Sequence, residues 1–186
     1  IAHVLGITDK RPFPVFVNSK PRVKRDLQTR NKKTVIFLSD VFSKYLEPQV
    51  AEAAFNILNF SGYDVKVLPS IGAGASFLSK GFLDEARRHA GKVLDEIQAL
   101  GGGADISVVG CEPPEVYCLK HEYVGLLPER RAEIESIRKN VWLVDEFILR
   151  IGTWVDQSAF RGHQTKVAFH PHCHQRAEGL ADDGLP

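Results

Sequence analysis

Short apolar runs rich in β-forming residues alternate with amphipathic helical segments along this chain, and that alternation limits the available folds more than any other feature. Val35-Ile36-Phe37-Leu38 is the kind of run that a strand buried on both faces needs, and Ser39-Asp40 closes it. In residues 48–61, Val50, Ala51, Ala54, Phe55 and Leu58 recur at helical spacing, with Pro48 tolerated in the first turn and Gly62 as the stop. Val65, Val67 and Leu68 predict a second strand, ended by Pro69. After a Gly/Ala/Ser loop at 71–76, a helix is predicted from about Phe77 to Leu100, with Phe82, Ala86, Ala90, Val93 and Ile97 in its apolar stripe and Gly101-Gly102-Gly103 as its end.

Ile106, Val108 and Val109 predict a third strand, running into Gly110-Cys111. Two helices follow at about 129–138 and 142–151, the second sided by Leu143, Val144, Phe147 and Ile148. Lys166–Phe169 reads as a last strand. The resulting order, β-α-β-α-β-α-α-β, predicts an α/β fold: a mostly parallel β-sheet with helices on both faces, a Rossmann-like three-layer arrangement with right-handed crossovers. In such sheets functional groups gather at the carboxyl ends of the strands. Three segments are expected: residues 1–33 as a basic, Pro-containing lead-in with a short helix near Lys24–Arg30, 34–151 as the α/β domain, and 152–186 as a loop, a strand and a His/Cys motif.

At 44% apolar and 25% charged the chain has a globular composition, and a net charge of +1 gives no global reason to bind nucleic acid. The charge is uneven: nine Lys or Arg and a single acid, Asp26, lie between Lys10 and Lys33. That stretch is either a solvated linker or an arm that touches a partner domain or an acidic lipid surface. No apolar run reaches the roughly 18 residues of a membrane helix, and no secretion signal is visible. The start at Ile1 and the end at Gly-Leu-Pro read as those of a piece of a longer protein. The odd count of three cysteines, Cys111, Cys118 and Cys173, argues against a disulfide framework and for cytoplasmic thiols or metal ligands.

His170-Pro171-His172-Cys173-His174 is the densest group of ligand-type side chains. Imidazoles and thiolates hold transition metals, and His170, His172, His174 and Cys173 are metal candidates, with His121 as an addition. A solvated histidine cluster is the plainer alternative. Cys111 follows a strand directly and is turned outward by Pro113-Pro114; with Cys118 it is either a ligand or one of two small buried hydrophobes. Gly72-Ala73-Gly74-Ala75-Ser76 resembles an anion cradle without the spacing of a nucleotide loop, and Lys80 is a lone cation near it. Asp145-Glu146 reads as a solvated pair on a helix.

Several segments carry a resemblance to a known family. They are Asp40–Pro48, Gly62-Tyr63-Asp64-Val65, Leu78–Ala86, Gly110-Cys111-Glu112-Pro113, Glu122-Tyr123, Leu126-Leu127-Pro128 and Pro171-His172-Cys173-His174-Gln175. In this order and spacing the chain resembles the cysteine-rich CCG domain of heterodisulfide reductases and of the glycolate oxidase iron–sulfur subunit. It is most like the C-terminal region of FAD-linked, iron–sulfur D-2-hydroxyacid dehydrogenases. The resemblance implies an electron-transfer domain of an oxidoreductase that oxidises a 2-hydroxyacid such as lactate, glycolate or 2-hydroxyglutarate. It implies an iron–sulfur cluster (4Fe-4S) held in part by Cys111 and Cys173, with Cys118, Glu115 and Lys80 beside the cofactor and FAD elsewhere in the parent protein.

The implied partners are preceding ferredoxin-like and FAD domains or subunits, and the implied location is cytoplasmic, at the inner face of the membrane in one reading. Two departures stand out. Gly72-Ala73-Gly74 replaces the family's Cys-Cys-Gly, and Glu115 replaces a second cysteine after Cys111. A cluster normally needs about four thiolate ligands, so this chain by itself is short of a full set. A mononuclear Cys/His metal domain and a cofactor-less partner-binding module are the competing readings.

Overall fold

The computed structural model describes residues 10, 15–17, 33–103, 105–150, 166 and 168–179. The expected helix near Lys24–Arg30 and the loop at 152–164 lie outside the described residues. Strand β1 (Lys33–Leu38) is followed by α1 (Val41–Tyr45) and α2 (Pro48–Phe60), then β2 (Tyr63–Val67), α3 (Ala75–Ser79) and α4 (Leu83–Ala99). Next come β3 (Ser107–Gly110), α5 (Pro113–Tyr117), a π-type turn at Cys118–Glu122, α6 (Tyr123–Leu126) and α7 (Arg131–Ile137). Strand β4 (Val141–Leu143) runs straight into α8 (Val144–Arg150), and α9 (Cys173–Ala177) carries the His/Cys motif.

The four strands form one sheet in the order β2-β1-β3-β4, and every pairing is parallel. The period of two along each strand divides the core into two layers. Ile36, Leu38 and Val108 face Ala90, Val93, Leu94 and Ile97 of α4, together with residues of α6 and α7. Val35, Phe37 and Val109 face Ala51, Phe55 and Leu58 of α2 and Phe147 of α8. Phe37 and Phe55 meet edge to face at 4.5 Å. Each such side chain, fully buried, contributes about 1.5–3 kcal/mol. The predicted α/β sheet with helices on both faces is therefore the observed architecture.

Two element predictions are corrected. The fourth strand is Val141–Leu143, not Lys166–Phe169. Val141 and Leu143 are buried against the sheet, so the first residues of the predicted helix at 142–151 are drawn into strand pairing with β3. Lys166, Ala168 and Phe169 are irregular and exposed. The helix predicted from 77 to 100 is two helices, broken at Lys80-Gly81-Phe82 where Gly81 takes φ +76°. Phe82 accordingly leaves the core and is 53% exposed.

Candidate functional site

The register aligns Leu38 with Gly110 and Gly110 with Leu143. Two residues beyond that row, Asp40, Glu112 and Asp145 stand at the carboxyl ends of three adjacent strands, with Cys111 between them and the sheet. Asp40 caps α1, accepting from the Ser43 N–H at 2.8 Å and from the Ser43 hydroxyl. Asp145 accepts from its neighbour's N–H and from the Gln175 amide at 3.2 Å, which ties α9 to this edge. A groove of about 560 Å³ opens beside α2 and α8, with Cys111, Asp145 and Gln175 in its wall. Burial pushes the Cys111 thiol up to about 12, aided by Asp40, Asp145 and Glu112. Without a bound cation this cysteine is therefore a neutral thiol at physiological pH.

Glu112 shares the same crowding: burial, then Asp40 and Glu115, push its carboxyl up to about 7. An acid whose folded value lies above its unfolded one binds more protons in the folded state between the two values. Its contribution to stability is present at acid pH and is lost as pH rises from about 4.5 to about 7. Urea titrations of wild type across this window should show stability falling with pH, and Glu112→Gln should flatten the slope. An unchanged slope in Glu112→Gln would assign the fall to another group.

The second arrangement lies on the other side of Glu112. The loop after β2 is pinned to the end of β1 by a 2.6 Å bond from the Gly72 N–H to the Ser39 carbonyl. Gly72 and Gly74 sit at φ +68° and +97°, so the N–H groups of residues 73–75 converge. The carboxylate of Glu115 occupies that convergence, accepting from Ala73 at 2.6 Å, Gly74 at 3.0 Å and Ala75 at 3.3 Å. On the opposite side of the same peptides, the Ala73 carbonyl accepts from the Tyr123 hydroxyl at 2.8 Å and from the Cys118 thiol at 3.6 Å. His89 Nε2 lies 2.9 Å from the Gly72 carbonyl. The anion cradle read from Gly72–Ser76 exists, and its anion is internal. The two departures from the resembled family's pattern, at Gly72-Ala73-Gly74 and at Glu115, are in direct contact.

The third arrangement is the His/Cys motif. His172 caps α9, and its backbone N–H donates to Gln175 Oε1 at 2.8 Å. Cys173 Sγ lies 3.6 Å from His172 Nδ1 and 3.5 Å from His174 Nδ1, and the two nitrogens are 3.4 Å apart. The two rings stack with an interplanar angle of 17°. Burial, then His174, lower the His172 pKa, which favours neutral imidazole.

Of the residues that the sequence singles out, His172, Cys173 and His174 come together. Cys111 stands in the groove, and Cys118 and Glu115 are committed to the 72–75 loop. Lys80 is exposed at the end of α3, and His170 is exposed in irregular chain outside the His/Cys group. His121 is turned to Glu178 rather than to the motif, and Lys120 meets Glu178 at 2.6 Å. Asp145-Glu146 is not a solvated pair: Asp145 lines the groove and Glu146 is 4% exposed, 3.9 Å from Lys120. His89 carries no signal in the sequence, and Asp40 and Tyr123 enter it only as a strand end and within the resembling segments, because a role set by packing leaves no local motif.

A four-thiolate cluster does not fit among the described residues. Cys118 is buried with its thiol donated to Ala73, and burial holds its pKa far above the ordinary thiol range. The loop opposite it is filled by Glu115. The one set of three or more His, Cys or acidic ligand atoms close enough to share an ion, among the described residues, is His172-Cys173-His174.

Comparison with known proteins finds similarity to part of two dehydrogenases. The chain is 28% identical over 141 residues to D-2-hydroxyglutarate dehydrogenase of Escherichia coli (strain K12), covering 75% of the chain and 14% of that relative. It is 26% identical over 116 residues to D-2-hydroxyglutarate dehydrogenase of Pantoea ananatis (strain AJ13355), covering 62% of the chain and 11% of that relative. The chain thus spans about one seventh or less of the curated relatives it matches. No protein-family model matches it, and no solved structure matches it significantly. No helix among the described residues is long and apolar enough to cross a membrane.

Proposed function

We propose that this chain is a domain of a larger oxidoreductase that oxidises a 2-hydroxyacid to the corresponding 2-oxoacid. The observation that carries the reading is the similarity to the Escherichia coli dehydrogenase over 75% of the chain. The parallel sheet, with thiol and carboxylate groups gathered at its carboxyl edge, is consistent with it. The resemblance implies FAD in a part of the enzyme outside this domain, where it would supply the two-electron acceptor for the hydroxyacid. The partners are then the flavin and ferredoxin-like domains of the same enzyme, and the setting is cytoplasmic. The basic stretch from Lys10 to Lys33 is the proposed contact with a neighbouring domain or with the inner face of a membrane.

An iron–sulfur electron-transfer role for this domain needs thiolate ligands from outside this chain, whose three cysteines are all described. Iron and acid-labile sulfide counts on the intact, anaerobically reconstituted protein measure that role. Unchanged iron in both Cys111→Ser and Cys173→Ser would remove these cysteines as cluster ligands.

The oxidoreductase reading is tested by steady-state reduction of an artificial electron acceptor by the full-length protein. D-2-hydroxyglutarate, D-lactate and glycolate are offered in turn. Turnover with at least one of them is expected, and stoichiometric 2-oxoacid should accumulate. A flavin-loaded preparation that turns over none of the three would defeat the proposal.

A further inference from the structure

The His172-Cys173-His174 cluster carries an inference that does not rest on the oxidoreductase reading. In an ideal tetrahedral site with metal–sulfur bonds of about 2.3 Å and metal–nitrogen bonds of about 2.0–2.1 Å, ligand sulfur and nitrogen stand about 3.5 Å apart and two nitrogens about 3.3 Å apart. The separations here are 3.6 and 3.5 Å for sulfur to nitrogen and 3.4 Å for nitrogen to nitrogen. All three edges of one tetrahedral face are therefore already set.

The protons of the groups themselves account for this packing poorly. A neutral thiol has a single S–H and satisfies one nitrogen at a time. The His172 Nδ1 lone pair faces the backbone N–H of His174 at 3.3 Å, a long contact that a stronger Lewis acid replaces at small cost. One cation in the centre satisfies all three donors together.

The surroundings hold the face in place. The His172 N–H is bonded to Gln175, and Gln175 is bonded in turn to Asp145 at the sheet edge. The ring of Tyr117 packs on His174 at 4.9 Å between centroids. Cys173 is exposed, which leaves the fourth corner towards solvent, as in sites that keep an open position.

We propose that His172 Nδ1, Cys173 Sγ and His174 Nδ1 bind a single zinc-class divalent ion with three protein ligands and one solvent-facing position. His170 and Cys111 are not ligands of this ion. The donor set, two imidazoles and one thiolate, suits zinc or cobalt and disfavours magnesium or calcium.

Cobalt(II) titration of the metal-free full-length protein tests the site. One equivalent should produce a thiolate-to-cobalt charge-transfer band with the intense visible bands of tetrahedral cobalt, and zinc should displace it. Cys173→Ser should abolish the charge-transfer band. His172→Ala and His174→Ala should each weaken cobalt binding at least tenfold. Cys111→Ser, Cys118→Ser and His170→Ala should leave the spectrum unchanged. Circular dichroism of each variant confirms that the fold persists, which is expected at an exposed turn.

A wild-type protein without the charge-transfer band, a band that survives Cys173→Ser, or one lost in Cys111→Ser would overturn the proposal. Iron with stoichiometric sulfide that depends on Cys173 would overturn it as well, in favour of a cluster ligand. None of these outcomes bears on turnover of 2-hydroxyacids, so the two proposals fail separately.

Discussion

Glu115→Ala is expected to lower the unfolding free energy by about 3–5 kcal/mol, read from urea denaturation with linear extrapolation. The size follows from what the carboxylate does. It accepts three backbone N–H bonds, from residues 73, 74 and 75, and bonds to a charged acceptor are worth about 1.5–3 kcal/mol each. Alanine leaves donors on buried residues without a partner, since Ala73 and Gly74 are both buried. Water entering the space left behind recovers part of the loss, which keeps the total below the simple sum. Glu115→Gln retains one acceptor oxygen and should cost less than half as much. A loss under about 1 kcal/mol in Glu115→Ala would mean that the loop holds its shape without the carboxylate.

Gly72→Ala should be comparably damaging, for two reasons that can be separated. At φ +68° a side chain is strained, at a cost of about 1–2 kcal/mol. The added Cβ would also stand 2.8 Å from the Glu115 carboxyl carbon and from Oε2. The carboxylate must then shift, weakening its three amide bonds by about 2–3 kcal/mol, which brings the total to about 3–5 kcal/mol. In the Glu115→Ala background the second cost is already lost, so Gly72→Ala should cost only the backbone strain there. The double-mutant cycle should therefore be strongly non-additive. Additive losses would show that residues 72 and 115 do not share one site.

This coupling also explains how far the sequence could be read. Strands β1 and β3 and helix α2 were legible because their apolar residues match their buried environment, β2 by its β-forming residues although Val67 is 47% exposed, and Gly62 and Gly101 mark helix ends by their positive φ. Strand β4 was hidden because Val141–Leu143 joins α8 with no Gly or Pro between them, so its apolar residues continue a helical period. Lys166–Phe169 has a strand-like composition but no partner strand in the described sheet.

At the site, the cradle at Gly72–Ser76 and the ligand-rich character of His172-Cys173-His174 could be seen from local residue types. That Glu115 fills the cradle could not, since it lies 40 or more residues further along the chain. Nor could composition show that Asp145-Glu146 turns inward, because acidic pairs on helices are usually solvated. Both outcomes are set by packing between distant elements: α5 against the 72–75 loop, and α8 against α9.

The central claim, that this domain serves a 2-hydroxyacid oxidoreductase, is tested most directly by anaerobic mixing of the full-length, flavin-loaded protein with D-2-hydroxyglutarate. The oxidised flavin spectrum should bleach within the turnover time, with one 2-oxoacid formed per flavin reduced. A flavin spectrum untouched by D-2-hydroxyglutarate, D-lactate and glycolate alike would contradict the claim.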